Sequence, residues 1–164
     1  MPSHQKAVDI ERPEPLQRCL DAANRYLSYR PRSEAELRER LRRRRFNDNI
    51  TQAVISRLKE QGLVDDRGFA QFWKENRQAF RPQSQRLTRL ELEQKGVSRE
   101  ITDEVAGTID DDESAYQAAT VKARKLDRAD YQQFRRRLGD HLKRRGFSYD
   151  VISHTINRVW SDPE

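Results

Sequence analysis

From Leu16 onward the apolar residues of this chain fall at helical spacing, and no stretch sustains the alternation of a strand. Leu16, Leu20, Ala23 and Leu27 form one stripe, Leu37 and Leu41 a second, and Ile50, Val54 and Leu58 a third, which predicts three helices in succession. Turn chemistry separates them. Pro31 interrupts after the first stripe, Ser33-Glu34-Ala35-Glu36 reads as a capping box, and Gly62 follows the third stripe. Residues 1–15 contain Pro2, Pro13 and Pro15 and lack an apolar period, so they are expected to be a flexible N-terminal tail. No sheet is expected.

The same pattern then recurs. With Phe46, Val97 and Phe147 aligned, Leu41, Leu92 or Leu142 stands five residues before each, and Ile50, Ile101 or Val151 four residues after. Each anchor is followed by a good N-cap (Asn47, Ser98, Ser148), and Leu58, Ile109 or Val159 lies eight residues beyond the second apolar position. A repeat of about fifty residues containing three short helices accounts for all of this. The expected fold is all-α: three tandem three-helix repeats over 16–65, 66–111 and 112–164, forming an elongated array that repetition leaves free to curve. A unit this small buries little surface, so neighbours are expected to share faces. Thr88 stands where the other units have Leu37 and Leu138, and Phe80-Arg81-Pro82-Gln83 makes a different connection in the middle unit.

Composition fits a slender array. Apolar residues make up 34% of the 164, below the roughly 45–50% of compact domains. Charged residues reach 37%, but the two signs nearly balance and the apolar positions are periodic, which favours helix over disorder. No run approaches the ~20 apolar residues of a membrane span. Cys19 is the single cysteine, so neither a disulfide framework nor a thiolate metal cage is expected, and a reducing cytoplasm is the expected setting.

Charge sharpens the picture. Residues 16–65 hold 12 basic and 7 acidic side chains, 66–113 hold 8 and 11, and 114–164 hold 11 and 6. Two basic ends therefore flank an acidic middle, within a net charge of +6. In both outer units the cations gather on the second helix and the turn after it: Arg38, Arg40, Arg42, Arg43, Arg44 and Arg45 in one, Arg135, Arg136, Arg137, Lys143, Arg144 and Arg145 in the other. Arginine's planar fork suits phosphates and carboxylates. Arg38, Arg42 and Arg45 are expected to project as one ridge, and Arg42 to Arg45 to lack an acidic neighbour. Solubility and pairing with Glu34, Glu36 and Glu39 is the competing explanation for part of that ridge.

Catalytic chemistry is not visible. His4 lies in the tail, and His141 and His154 have no cysteine or carboxylate pair at ligand spacing. Asp110-Asp111-Asp112-Glu113 lacks the glycine turn and alternating ligands of a calcium loop and suits the start of a helix. Trp73, Trp160, Tyr26, Phe69 and Tyr116 sit on helix stripes, where packing is favoured over base stacking. No phosphate-cradling glycine loop occurs. Neither an enzyme nor a cofactor nor a metal is expected.

Specific residues go further. Arg32-Ser33-Glu34-Ala35-Glu36-Leu37, Gly62-Leu63-Val64-Asp65-Asp66-Arg67-Gly68-Phe69-Ala70, Arg77, and Glu91-Leu92-Glu93-Gln94-Lys95-Gly96-Val97 resemble, in order and spacing, the signature of the bacterial RecX regulatory family. Arg144-Arg145-Gly146-Phe147-Ser148-Tyr149-Asp150 resembles its closing unit. The resemblance implies a non-enzymatic regulator that lodges in the groove of the RecA nucleoprotein filament. There it would limit strand exchange, ATP hydrolysis and the coprotease activity behind the SOS response, with a place in DNA repair and recombination. Single-stranded DNA is an implied partner, double-stranded DNA a further one, a membrane is not, and the chain is read as a monomer. Thr88 and the connection at Pro82, where the family more often has a glycine before the proline, depart from the pattern.

The residues expected to touch RecA or DNA are Arg38, Arg42 to Arg45, Arg135 to Arg137, Lys143, Arg144 and Arg145. Arg32, Ser33, Glu36, Leu37, Asp65, Asp66, Phe69, Ala70, Leu92, Lys95 and Gly96 are motif positions expected to be mainly structural, with Asp65 and Asp66 opening a helix and Phe69 packing between units. A helical DNA-binding protein acting without RecA, and a repeat adaptor for another acidic protein, are the other readings.

Overall fold

The computed structural model describes residues 14–162, and among them the backbone forms nine α-helices and no strand. They are α1 (Pro15–Leu27), α2 (Glu34–Arg43), α3 (Asp48–Glu60), α4 (Asp66–Phe80), α5 (Gln85–Gln94), α6 (Arg99–Ala106), α7 (Asp111–Ala123), α8 (Tyr131–Arg144) and α9 (Tyr149–Ser161). Residues 1–13 of the expected tail lie outside the described residues. Pro15 opens α1, a position where its missing N–H costs nothing.

Local chemistry sets the helix starts. Ser33 Oγ accepts from Glu36 N (3.1 Å) while the Glu36 carboxylate accepts from Ser33 N (3.0 Å), completing the capping box read from the sequence. Asn47, Ser98 and Ser148 cap α3, α6 and α9. Asp65, Asp110 and Asp130 cap α4, α7 and α8, placing carboxylates at the positive helix ends.

Helices pack within their own units, and each unit closes a separate core. The first gathers Cys19, Ala22, Ala23, Leu37, Leu41, Val54, Ile55, Leu58 and Val64. Of the expected α1 stripe, Ala23 is buried and Leu20 and Leu27 pack against this core, whereas Leu16 is exposed, and Cys19 and Ala22 join the buried face. The third core gathers Phe134, Leu138, Leu142, Phe147 and Ile156, with the Trp160 ring tilted against Phe134 (centroids 5.0 Å apart) at its edge. The second is small: Phe69, Ala70, Leu92, Val97 and Val105. Ile109 stays buried although α6 ends three residues earlier, beside Gly107.

Thr88 explains the thin second core. It is fully buried and accepts a hydrogen bond from Gln83 Nε2 (3.2 Å), which also donates to Glu91 Oε2 (2.8 Å). Trp73 Nε1 (2.6 Å) and Arg77 Nε (3.1 Å) converge on the same carboxylate oxygen. A satisfied polar network thus occupies the space that leucine fills in the other units.

Polar contacts cross the junctions between the units. Ser33 Oγ donates to Lys95 O (2.6 Å), Glu34 N donates to Asp66 Oδ1 (2.8 Å), and Lys95 Nζ pairs with Glu36 (3.1 Å). The second junction repeats the theme, with Ser84 N donating to Arg145 O (3.0 Å) and Gln85 N to Asp111 Oδ1 (2.8 Å). Each junction therefore satisfies backbone N–H groups that the start of α2 or α5 would otherwise leave unpaired.

Candidate functional site

On α2, with Leu37 and Leu41 buried, the cations divide into two groups. Arg38 is half-buried and held between helices, 3.6 Å from Glu34 and donating to Gln52 Oε1 of α3 at 2.9 Å. Arg42 and Arg43 both reach Glu39, at 3.5 and 3.1 Å. The expectation that Arg42 to Arg45 have no acidic neighbour is therefore overturned for the first two, because Glu39 lies three and four residues back on the same helical face. The expected ridge is also broken. α2 ends at Arg43, and Arg45 adopts a left-handed conformation (φ 62°) beyond it. Arg44 and Arg45 instead line an open cavity of about 450 Å³ with Arg18, Arg25, Asp21 and Phe46 at the outer end of the first unit.

On α8, Arg135, Arg136, Arg137, Lys143 and Arg144 are all exposed, and among the described residues none of them forms an ion pair. Arg145 is different. It is half-buried at the second junction, and its Nη1 donates to Pro82 O at 3.2 Å. Burial, and then Arg81, Arg77 and Arg144, lower its pKa. His141, on α8, is pushed down to about 4 by burial first and then by Arg145, Lys122, Arg144 and Arg81. A cationic cluster drawn from α7, α8 and the segment after α4 thus surrounds this junction.

Sequence reasoning missed Arg81, Lys122 and His141 as members of that cluster, since they come from three different elements. The position of Arg145 was open to inference: it occupies the repeat position of Lys95, whose carbonyl receives Ser33.

The motif positions build the first junction and its surroundings. Arg32 lies over the Tyr26 ring at 4.0 Å and donates to Tyr26 O (3.3 Å). Glu36, whose side chain is 11% exposed, takes Arg30 Nη2 at 2.7 Å as well as Lys95. Burial pushes its carboxyl upward, but hydrogen bonds from Arg30, Ser33 N and Lys95 outweigh that and hold it below its ordinary range. Asp66 moves the other way, raised chiefly by burial against the partial relief of the Glu34 N–H. Leu37, Leu92 and Ala70 are core residues. Asp65 accepts from Arg67 N (3.1 Å). Phe69 is buried in the second core with the Arg30 guanidinium of the first unit 5.9 Å from its ring centre.

Among the described residues no cluster of three or more His, Cys, Asp or Glu side chains is placed to hold a metal ion, and no helix is long and apolar enough to cross a membrane.

Among the described residues, nine helices in three repeated units make this an all-α tandem-repeat protein with exposed cations on its outer two units. Comparison with known proteins gives the same division. Models of the first, second and third three-helix domains of RecX match residues 19–58, 65–105 and 110–156. A regulatory protein RecX of Chlorobaculum tepidum is 35% identical over 141 residues, 86% of this chain and 88% of its own. One from Mycobacterium avium is 35% identical over 136 residues, covering 80% of this chain and 79% of its own. The crystal structure of RecX from Lactobacillus salivarius superposes with a TM-score of 0.74 at 22% identity, over 89% of this chain and 97% of that one, a likeness of fold. The chain belongs to the RecX regulatory protein family.

Proposed function

We propose that this chain is a non-enzymatic, monomeric, cytoplasmic regulator that binds the RecA filament in its helical groove, beside the DNA, and inhibits its recombinase, ATPase and coprotease activities. The observation that carries this reading is the pair of open cationic faces, Arg44 and Arg45 on the first unit and Arg135, Arg136, Arg137, Lys143 and Arg144 on the third, held on one body by polar junctions. Family membership supports the choice of RecA, and the absence of ion-pair partners for the α8 cations among the described residues supports their availability. Two such faces can bridge successive subunits or phosphates along a filament, where long-range attraction and multivalency reinforce each other.

The test replaces Arg135, Arg136 and Arg137 together by glutamate and follows ATP hydrolysis by RecA on single-stranded DNA. Inhibition should fall by an order of magnitude or more, with helicity unchanged by circular dichroism. Full inhibition by the reversed variant overturns the assignment of this face. Tight duplex binding without RecA, falling by roughly 0.7–0.9 log unit per log unit of salt for each phosphate contact, together with no effect on RecA, would instead favour a DNA-binding protein acting alone.

A further inference from the structure

The three units carry the same pair of facing positions on their second and third helices, and the third unit breaks the pattern. In the first, Arg38 spans to Gln52 at 2.9 Å, and in the second, Arg89 Nε spans to Asp103 Oδ1 at 2.8 Å. The matching pair in the third unit is Gly139 and Ser153, which cannot form such a bridge, and the side-chain hydrogen bond between α8 and α9 lies elsewhere, from Tyr131 OH to Asn157 Oδ1 at 3.5 Å. The residue before each acceptor changes with it. Thr51 and Thr102 are buried, whereas Ile152 is half-exposed. The first residue of the third helix, Asp48 or Arg99 in the other units, is Tyr149, which is 72% exposed. A position has thus become more apolar while becoming more accessible, the reverse of what burial alone would select.

The result is a notch of about 370 Å³. Ile152 and Ile156 form its floor, since a Cβ added at Gly139 would meet them at 3.9 and 3.7 Å. Tyr149 stands at one side, and Arg135, Arg136 and Lys143 rim it against a single carboxylate, Asp140. We propose that this notch docks an acidic segment of a partner protein, with one apolar side chain inserted over Ile152 and Ile156 and flanking carboxylates on Arg135, Arg136 and Lys143. An aliphatic floor accepts an apolar anchor side chain, the usual centre of a peptide-binding site. It offers no flat platform on which successive bases could stack. The site goes beyond the filament reading and requires only a protein segment of this chemistry.

The full chain, labelled with carbon-13 at isoleucine methyls, is titrated with a short peptide carrying one phenylalanine between glutamates, with the alanine version of that peptide, and with oligothymidylate. The phenylalanine peptide should shift the Ile152 and Ile156 methyls and bind about tenfold more tightly than the alanine peptide, a difference of about 1.4 kcal/mol. The double variant G139R/S153D, which transplants the Arg89–Asp103 bridge, should weaken the phenylalanine peptide by a similar factor. The surface variant Tyr149→Ser should do so in part, leaving the core untouched. Equal binding of the two peptides, unchanged binding to G139R/S153D, or methyl shifts produced by oligothymidylate and not by the peptide would each overturn the proposal. None of these readouts involves RecA, so failure of the notch and failure of filament binding are separable.

Discussion

Gly96 packs against Ala35 so closely that a Cβ on the glycine would collide with the alanine methyl. The glycine sits just after α5, in the α5–α6 turn of the second unit, at φ +80°, and the alanine lies in the first turn of α2 in the first unit, so one backbone approach joins two units. Gly146 holds the matching place against Ser84 and Leu87 at the second junction. In the first unit the position belongs to Arg45, which bears the same left-handed twist at the outer end of the array. Gly96→Ala is expected to destabilise the protein by about 2–4 kcal/mol, from the left-handed backbone and the overpacking together. Arg45→Gly should change stability by less than about 1 kcal/mol, since relief of the twist is offset by a freer unfolded chain. Chemical denaturation of both variants checks the contrast.

Ser33 serves two units at once. Its hydroxyl caps α2 by accepting from Glu36 N and donates to Lys95 O across the junction. Ser33→Ala should cost about 2 kcal/mol, more than loss of an ordinary cap, because the partly buried Lys95 carbonyl loses its partner as well. Asn47→Ala, at an exposed cap confined to one unit, should cost about 1 kcal/mol. Thermal unfolding monitored by circular dichroism separates the two.

The repeat, the caps and the separation into helices were legible because each rests on local spacing: Phe46, Val97 and Phe147 lie at fixed distances from their leucines whatever the tertiary context. The junctions were less legible, since Ser33 to Lys95 and Ser84 to Arg145 join residues about sixty positions apart. The one available signal was the repeat itself, which places Lys95 beside Gly96 as Arg145 stands beside Gly146. The arginine ridge was misread in part because pairing with Glu39 was extended only to its earlier residues, whereas helical geometry brings Glu39 beside Arg42 and Arg43. The polar heart of the middle unit was visible only as a missing leucine at Thr88. Its partners Gln83, Glu91 and Trp73 come from three segments.

Glu36 should leave a mark on the acid side of the stability curve. Its carboxyl is held below the ordinary value near 4.5, since Arg30, Ser33 N and Lys95 outweigh the opposing effect of burial. The ionised form is thus favoured in the folded state. Its contribution is fully present above the unfolded value and is lost as pH falls through the lower folded value. Glu36→Gln should therefore be less stable than the parent at pH 7, with the gap narrowing below about pH 4.5. Urea denaturation at a series of pH values measures it, and a gap independent of pH would show that hydrogen bonding rather than ionisation sets the loss.

His141 offers a reporter on the cationic cluster at the second junction. Burial, followed by Arg145, Lys122, Arg144 and Arg81, pushes its pKa down to about 4 from an ordinary 6.5. Between those two values the unfolded chain takes up a proton that the folded chain refuses, so stability associated with this group is lost as pH falls from about 6.5 to 4. His141→Gln should flatten that part of the stability curve. Lys122→Gln and Arg144→Gln should each raise the imidazole pKa by removing a like charge, followed directly by proton NMR of the ring. The same titration reads occupancy, because an anion seated among Arg81, Lys122 and Arg144 stabilises the imidazolium. Oligothymidylate bound there should move the His141 pKa upward, towards 6.5, and the shift should fade as salt competes for the arginines. DNA bound only at the outer end of the first unit, near Arg44 and Arg45, would leave His141 titrating near 4.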